Sequence, residues 1–398
     1  MKGQDIMIYV GIDAASQKHD FFIQRDTGEV FSKKAITIKN DINGLKKLHN
    51  SIKDFVESCK DSNVRIGLES TGHYCKNILL YLIKEGYQVS LINPILTSMD
   101  IKASSVRKTK NDKLDAEAIC RFLDKNRFDF KPYTLLSYHI EALKSLTRQR
   151  FTIVKQQTQQ KLIFQRLVNV IFPEFLSLFS SDYTESVLNI LYAYPTPKKM
   201  ARAHESSIDK LLHHRCNVSA SKIIETAKSS IGQSEDYLGF ELQHTIDMIR
   251  FYQSQIEIYN KQIEMELNET EYGKIITSIP GVGIITGAMI ISEIGDINNF
   301  TSPDQLLAFA GLDPTVYQSG EFEASHTKIT KRGSKYLRWA IDQVSSGIWK
   351  WDKTFKDYYL KKINEGKHHF VAIGHIDKKL VRVIFSLLKN KQSFIPQK

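Results

Sequence analysis

Several things are scarce in this 398-residue chain. There are four cysteines, Cys59, Cys75, Cys120 and Cys216, far apart and without a Cys-x-x-Cys pair. That spacing gives neither a zinc site nor a disulfide framework, and leaves them as scattered packing thiols. No stretch approaches the ~18 consecutive apolar residues of a membrane helix, and the first residues lack a signal-peptide pattern, so the expected compartment is the cytoplasm. Glycine is missing from Tyr87 through Ile231, and residues 139 to 172 also lack proline. Long uninterrupted helices require that combination. With 42% hydrophobic residues the chain is not disordered.

What is plentiful is positive charge, +11 in all, and it is unevenly placed. Residues 101–166 carry +9 and residues 321–398 carry +10, leaving −8 elsewhere. Two basic zones in an acidic frame suit a polyanion whose condensed counterions are released on contact, and nucleic acid is the commonest such partner. A merely solvated surface is the plainer alternative.

Three short strands are expected first: Ile6 to Asp13, then His19 to Gln24, then Glu29 to Ile38 after an Asp26-Thr27-Gly28 turn. Asn40-Asp41 can cap a helix whose apolar positions are Leu45, Leu48, Ile52, Phe55 and Val56. A strand at Val64 to Leu68, a helix at Tyr74 to Lys84 and a strand at Gln88 to Ile92 complete an α/β sheet. Leu242, Ile246, Ile249, Tyr252, Ile256, Tyr259, Ile263 and Leu267 then recur at close to ~3.6 residues, the stripe of a long helix in a coiled-coil arm. The expected domains are 1–135 (α/β), 136–270 (helical coiled coil) and 271–398 (helical).

Asp13 and Glu69 each end an apolar strand. If those strands pair in parallel, both carboxylates reach one crevice, where ligands gather in open α/β sheets. Oxygen ligands so placed suit Mg²⁺ (or Mn²⁺). Asp112 and Asp115 share a helix face amid Lys108, Lys110 and Lys113, a mixture suited to metal plus phosphate. Four carboxylates can support two metal ions about 3.5 to 4 Å apart acting on a phosphodiester. Singly, each acid reads as a turn former or helix cap. Together, after a meander, they have the layout of a ribonuclease-H-like nuclease.

Farther on, Ile279-Pro-Gly281-Val-Gly283 ahead of an apolar run looks like a helix-hairpin-helix, in which Gly281 and Gly283 let backbone N–H groups approach a phosphate. A helix–helix turn packed closely through its glycines is the alternative. Ser319, beside Gly320 and upstream of Lys328, Lys331, Arg332, Lys335 and Arg338, is a candidate nucleophile on phosphorus, with the cations clamping phosphates. Ser325 and Ser334 lie equally near that basic run. Trp339, Trp349 and Trp351 read as core or subunit-contact aromatics.

Taken together, Val10-Gly-Ile-Asp13 with Lys18, Leu68-Glu69-Ser-Thr-Gly72-His-Tyr74, Lys110-Asn-Asp112-Lys-Leu-Asp115-Ala116, Ile279 to Gly283, Ala310-Gly-Leu-Asp-Pro314, Gln318-Ser-Gly320, Lys331-Arg-Gly333 and Leu337-Arg338 resemble the insertion-sequence transposases with a DEDD catalytic domain. These are relatives of the Piv-type invertases and of bridge-RNA-guided recombinases. Asn111 stands where Thr is common, and Ser334 where Asn is common. The resemblance implies a RuvC-like domain, a coiled-coil arm and a helical transposase domain. Asp13, Glu69, Asp112 and Asp115 would bind Mg²⁺, and Ser319 would form a covalent phosphoserine link to DNA. It also implies a structured guide RNA, DNA partners, a homo-oligomer (dimer or tetramer) with composite sites, and a bacterial or archaeal cell. Two other readings stand beside it: a RuvC-like Holliday-junction endonuclease acting by hydrolysis, and a non-enzymatic helix-hairpin-helix DNA-binding protein.

Overall fold

The protein is seen here in a computed structural model. It describes residues 7–60, 63–69, 74–92, 112–126, 138–213, 217–314 and 329–396, with 94, 96, 97, 99, 132, 133, 318, 319, 322 and 323. For 112–114, 318, 319, 322 and 323 only the backbone is described. The chain divides into two compact units, Met1–Leu135 and Leu136–Lys398.

In the first unit, β1 (Ile8–Ala14), β2 (Lys18–Arg25), β3 (Ile36–Lys39), β4 (Val64–Glu69) and β5 (Gln88–Ile92) form one sheet in the order β3-β2-β1-β4-β5. β2 runs against both β1 and β3, while β1 pairs in parallel with β4, and β4 with β5. The expected parallel pairing of the strands bearing Asp13 and Glu69 is therefore present. One expectation is corrected: the third strand does not run from Glu29. Val30 makes a single bridge to Gln24, and the ladder resumes only at Ile36. The polar run Ser32-Lys33-Lys34 is surface-lying or partly so and has no apolar face to bury, so the chain leaves the sheet there.

Helices cover both faces. α1 (Ile42–Cys59) starts at Asp41, whose carboxylate accepts from Gly44 N at 2.7 Å, and α2 is Cys75–Lys84. Leu45, Leu48, Ile52 and Phe55 of α1 and Ile78, Leu79 and Leu82 of α2 bury one face over Ile8, Val10, Ile12, Phe21 and Ile23. The opposite face carries Tyr9, Phe22 and Ile92 beneath Ala116, Ile119, Cys120 and Leu123 of α3 (Asp112–Lys125). The period-two alternation of β1 thus separates two cores.

The second unit is helical: α4 (Tyr138–Ile171), α5 (Glu185–Ala193), α6 (Pro197–Met200), α7 (Glu205–Asp209), α8 (Ala220–Lys228), α9 (Asp236–Asn268), α10 (Gly273–Thr277), α11 (Ile284–Ile294), α12 (Pro303–Phe309), α13 (Lys335–Ile348), α14 (Lys353–Asn364) and α15 (His369–Asn390). α4 and α9 make the most extensive helix pair. Of the apolar stripe read from the sequence, Leu242, Ile246, Ile249, Ile256, Ile263 and Leu267 are buried and the two tyrosines partly so. Polar links fix the antiparallel register: His139 Nδ1 with Glu266 at 2.8 Å, Arg150 Nε to Asn260 at 2.5 Å, and Gln157 Nε2 to Gln253 at 3.0 Å.

Candidate active site

Ile12 pairs with Leu68, so Asp13 and Glu69 are the next residues on adjacent parallel strands, about 4.8 Å apart in the sheet. Asp13 follows Tyr9 and Gly11 at two-residue steps and so points to the α3 side. Gly11 explains how α3 gets there: a Cβ at that position would run into the Ala116 carbonyl oxygen and lie 2.5 Å from Cys120 N. Without a side chain, α3 lies directly on β1, and the Cys120 thiol donates to the Tyr9 carbonyl at 3.3 Å. Gly67 plays the same part on β4, where a Cβ would meet Ile119 and Leu123; Glu69, two residues on, therefore also faces α3. Asp115 immediately precedes Ala116 in the turn of α3 nearest these strand ends. Asp13, Glu69 and Asp115 are all partly buried.

Asp112 begins α3, one turn before Asp115 and on its side of the helix. Its side chain lies outside the described residues, as does that of Lys113, while Lys108, Lys110 and Lys328 are outside them altogether. Among the described residues, no three His, Cys, Asp or Glu side chains stand close enough to hold a metal ion. Glu69 Oε1 accepts the Thr97 hydroxyl at 2.9 Å. The donors fit Mg²⁺ in type, being all hard oxygens, and Asp13 and Glu69 share one face at the C-terminal end of the parallel strands.

The register brings in a carboxylate that the sequence reading missed. Asp20 of β2 is the direct cross-strand partner of Asp13 and is 2% exposed; its own partner on the other side is Thr37. Thr37 donates its hydroxyl to Asp20 Oδ1 at 2.5 Å, and Lys18 Nζ stands 3.8 Å from Oδ2. Thr37, Asp20, Asp13 and Glu69 thus form one row across four strands. His19 points to the opposite face, where burial lowers its pKa, with Asn40 and the Asp20 charge offsetting this in part. Burial pushes the Cys120 thiol up to about 12, in keeping with a packing role. Cys59 and Cys75 are free thiols; Cys216 lies outside the described residues.

In the second unit, Ser319 pairs with Phe322 in a two-stranded hairpin, β6 (Gln318–Ser319) and β7 (Phe322–Glu323). Its base is fastened. Pro314 bridges Ile329, Thr330 N donates to Asp313 O at 2.9 Å, and Lys331 N donates to Gly311 O at 3.1 Å. Gly311 has φ +67° and packs on Gly333, where a Cβ would strike the Phe309 carbonyl. Lys331, with φ +54°, and Arg332 are exposed just past this crossing, and Lys335 opens α13. Arg338 Nη1 donates to Ala310 O at 3.0 Å, so this arginine braces the crossing. Ser334 caps α13 and donates its hydroxyl to Glu293 at 2.8 Å; the side chain of Ser319 and all of Ser325 lie outside the described residues.

Gly281 (φ +81°) needs glycine's conformational range. Gly283 is extended, at φ −81°, and a Cβ there would meet nothing nearer than Thr286 Oγ1 at 3.9 Å. The first turn of α11 is therefore approachable. The tryptophans divide: Trp339 and Trp349 are half-buried against the core, whereas Trp351, beside Gly281, is 74% exposed in the chain alone.

A meander joined to two parallel strands, with β2 alone reversed and carboxylates at the strand ends under a helix, is a ribonuclease-H-like domain; here it precedes a helical unit. Two family models match this chain. A DEDD transposase model of the IS110 group matches residues 10–173, and one described as "Transposase IS116/IS110/IS902 family" matches residues 273–360. Together they take in well over half of the sequence, and the chain belongs to the IS116/IS110/IS902 family of transposases. It is similar to the IS116 insertion-element protein of Streptomyces clavuligerus, 24% identical over 98% of this chain and 96% of that one. It also resembles the putative transposase for IS117 of Streptomyces coelicolor (23%, 99% and 96%) and the pilin gene-inverting protein of Moraxella bovis (23%, 97% and 97%). Among solved structures, Thermus thermophilus RuvC aligns with 32% of this chain and all of its own, at 11% identity and a TM-score of 0.24.

Proposed function

We propose that the protein is a DNA recombinase of a mobile element, cutting and rejoining strands at the element ends and a target. The observation that carries this reading is the meeting of Asp13 and Glu69 on adjacent parallel strands beneath the helix of Asp112 and Asp115. Those four carboxylates would hold Mg²⁺ or Mn²⁺, which supplies charge stabilisation at phosphoryl oxygens. Ser319, on a hairpin anchored next to exposed Lys331 and Arg332, would attack a DNA phosphate. Its oxygen forms a bond to phosphorus, the bond to one strand's deoxyribose oxygen breaks, and the released strand end takes up a proton. Attack by another strand end reverses this and completes the exchange.

Lys328, Lys331, Arg332, Lys335 and the segment around Lys108, Lys110 and Lys113 would contact phosphates, as would the backbone N–H groups past Gly281 and Gly283 in a helix-hairpin-helix. The α4 and α9 pair would form the coiled-coil arm. The carboxylate and serine domains of different subunits of a dimer or tetramer would combine, and a structured guide RNA would select DNA by base pairing while the protein grips backbone.

The test uses the purified chain with its copurifying RNA, Mg²⁺ and labelled element-end DNA. A denaturation-resistant protein–DNA species is expected, lost in Ser319→Ala and in Asp13→Asn. Cleavage that persists in Ser319→Ala with no such species would replace this reading by hydrolysis of the junction-endonuclease kind. Copurifying RNA of no discrete sequence would remove the guide.

A further inference from the structure

We propose that Lys18 contacts a phosphodiester oxygen of the DNA strand at the carboxylate site, and that Asp20 is the positioning residue that aims it. The inference rests on the recombinase reading above and concerns residues to which that reading gives no role. Lys18, Asp20 and Phe22 are alternate residues of β2, and Phe22 lies in the core beneath α3. All three therefore face the side to which Asp13 and Glu69 point. Lys18 is the first residue of β2, directly after the Ala15–Lys18 turn, where Ala15 N donates to Lys18 O at 3.1 Å. Its side chain, 49% exposed, thus stands at the C-terminal mouth of β1.

Asp20 is a costly sheet residue, even with the Thr37 hydroxyl bound to it. Like charges directly opposite one another on antiparallel strands are destabilising, and Asp20 is both opposite Asp13 and 2% exposed. An apolar residue would fill the place at less electrostatic cost. What the carboxylate does is visible on its two oxygens: Thr37 fixes Oδ1, and Oδ2 is left directed at Lys18 Nζ, 3.8 Å away. A flexible lysine at a strand end is thereby drawn toward the carboxylate row. Asp20, Asp13 and Glu69 lie in one row across adjacent strands, and a phosphodiester adds another negative charge. An ammonium beside Asp20 lowers the repulsion an incoming strand meets, and a compact point charge does this without requiring a planar partner.

Two readouts separate the roles. The first is the salt dependence of binding to element-end duplex DNA, measured with the full chain and its copurifying RNA in Ca²⁺. Lys18→Ala is expected to make log K against log salt shallower by about one, the loss of one phosphate contact. Lys18→Arg keeps the slope. The second is the cleavage rate in Mg²⁺, which should fall by roughly a hundredfold in Asp20→Asn, the scale of a small misplacement at a reacting centre. The slope there is retained, because the ammonium is present but misaimed. Thr37→Val, which leaves the charges in place, should lower cleavage in the same direction and serves if Asp20→Asn melts early.

An unchanged slope and rate in Lys18→Ala would overturn the phosphate contact. Wild-type cleavage in both Asp20→Asn and Thr37→Val would overturn the aiming role. Asp13→Asn separates the two levels: if it cleaves normally the recombinase reading falls, whereas if it is inactive and Lys18→Ala is not, only the present inference falls.

Discussion

Glu293 accepts both Nε and Nη2 of Arg148, at 2.6 and 2.9 Å, across 145 residues of chain. The carboxylate is 1% exposed in α11, the arginine comes from α4 and lies 4.9 Å from the Tyr336 ring, and Ser334 adds a third donor from the start of α13. One buried side chain therefore ties three helices together just behind Lys331 and Arg332. Its hydrogen bonds raise the pKa of Arg148 and keep the guanidinium charged.

Glu293→Gln keeps the volume but loses the paired acceptors. Because the arginine is 42% exposed, the expected loss is about 1–3 kcal/mol, below that of a fully buried pair. A denaturant midpoint checks it, and a loss under about 0.5 kcal/mol would mean the clamp is dispensable. Arg148→Lys should not rescue, since an ammonium cannot span both oxygens.

The two sheet glycines should differ. At Gly11 an added methyl meets α3 backbone, so Gly11→Ala should cost about 3 kcal/mol or more and abolish strand cleavage. At Gly67 it meets the ends of Ile92 and Leu123, which can move, and about 1–2 kcal/mol is expected. Thermal melts and a cleavage assay on both variants test this; equal losses would contradict it.

Asp377 of α15 supplies a pH dependence. Burial, with some help from the Asp342 charge and against the Ser345 hydroxyl and Lys378, pushes its carboxyl up to about 7. The folded state then binds a proton that the unfolded chain releases near pH 4. Its contribution is present below that pH and declines as pH rises from about 4 to about 7. Asp377→Asn should flatten the fall of Tm across this window and raise Tm at pH 8. An unaltered Tm profile would rule it out.

Gly333→Ala drives a methyl into the Phe309 carbonyl at the base of the Ser319 hairpin. Covalent protein–DNA product should drop at least tenfold while binding of element-end DNA stays within a factor of about three. Parallel losses in both measurements would place Gly333 in general folding instead.

Much of this architecture could be read in the residues, because strand alternation and helical spacing are local signals. Gln88–Ile92 and the buried positions of α9 are where the pattern puts them, and Asp13 and Glu69 stand at strand ends that do pair in parallel. Asp20 was hidden for the opposite reason. Inside His-Asp-Phe-Phe it looks like one polar residue in a strand, and only the register with Asp13 and Thr37 gives it a place. Trp351 follows Trp349 by two residues, yet one packs on Tyr359 with ring centroids 4.3 Å apart and the other projects outward, a difference set by the end of α13. The expected reach of the third strand failed because Glu29 to Ile38 alternates in part without an apolar face through Ser32–Lys34.

The α4 and α9 pair also separates two bodies of protein. Ile140 and Leu143 of α4, with Ile263 and Leu267 of α9, belong to one apolar core, whereas Phe164 to Ile171 and Leu238 to Ile249 belong to another. Along the 34 residues of α4, about 51 Å, Ile153 and Ile256 are buried in neither, and the Arg150–Asn260 and Gln157–Gln253 bonds bind the helices there. Among the described residues, α4 and α9 run from one core into the other, so cooperativity between the cores passes along this pair. Amide exchange should therefore resolve two separately opening foldons, with the middle of the pair following whichever is weaker.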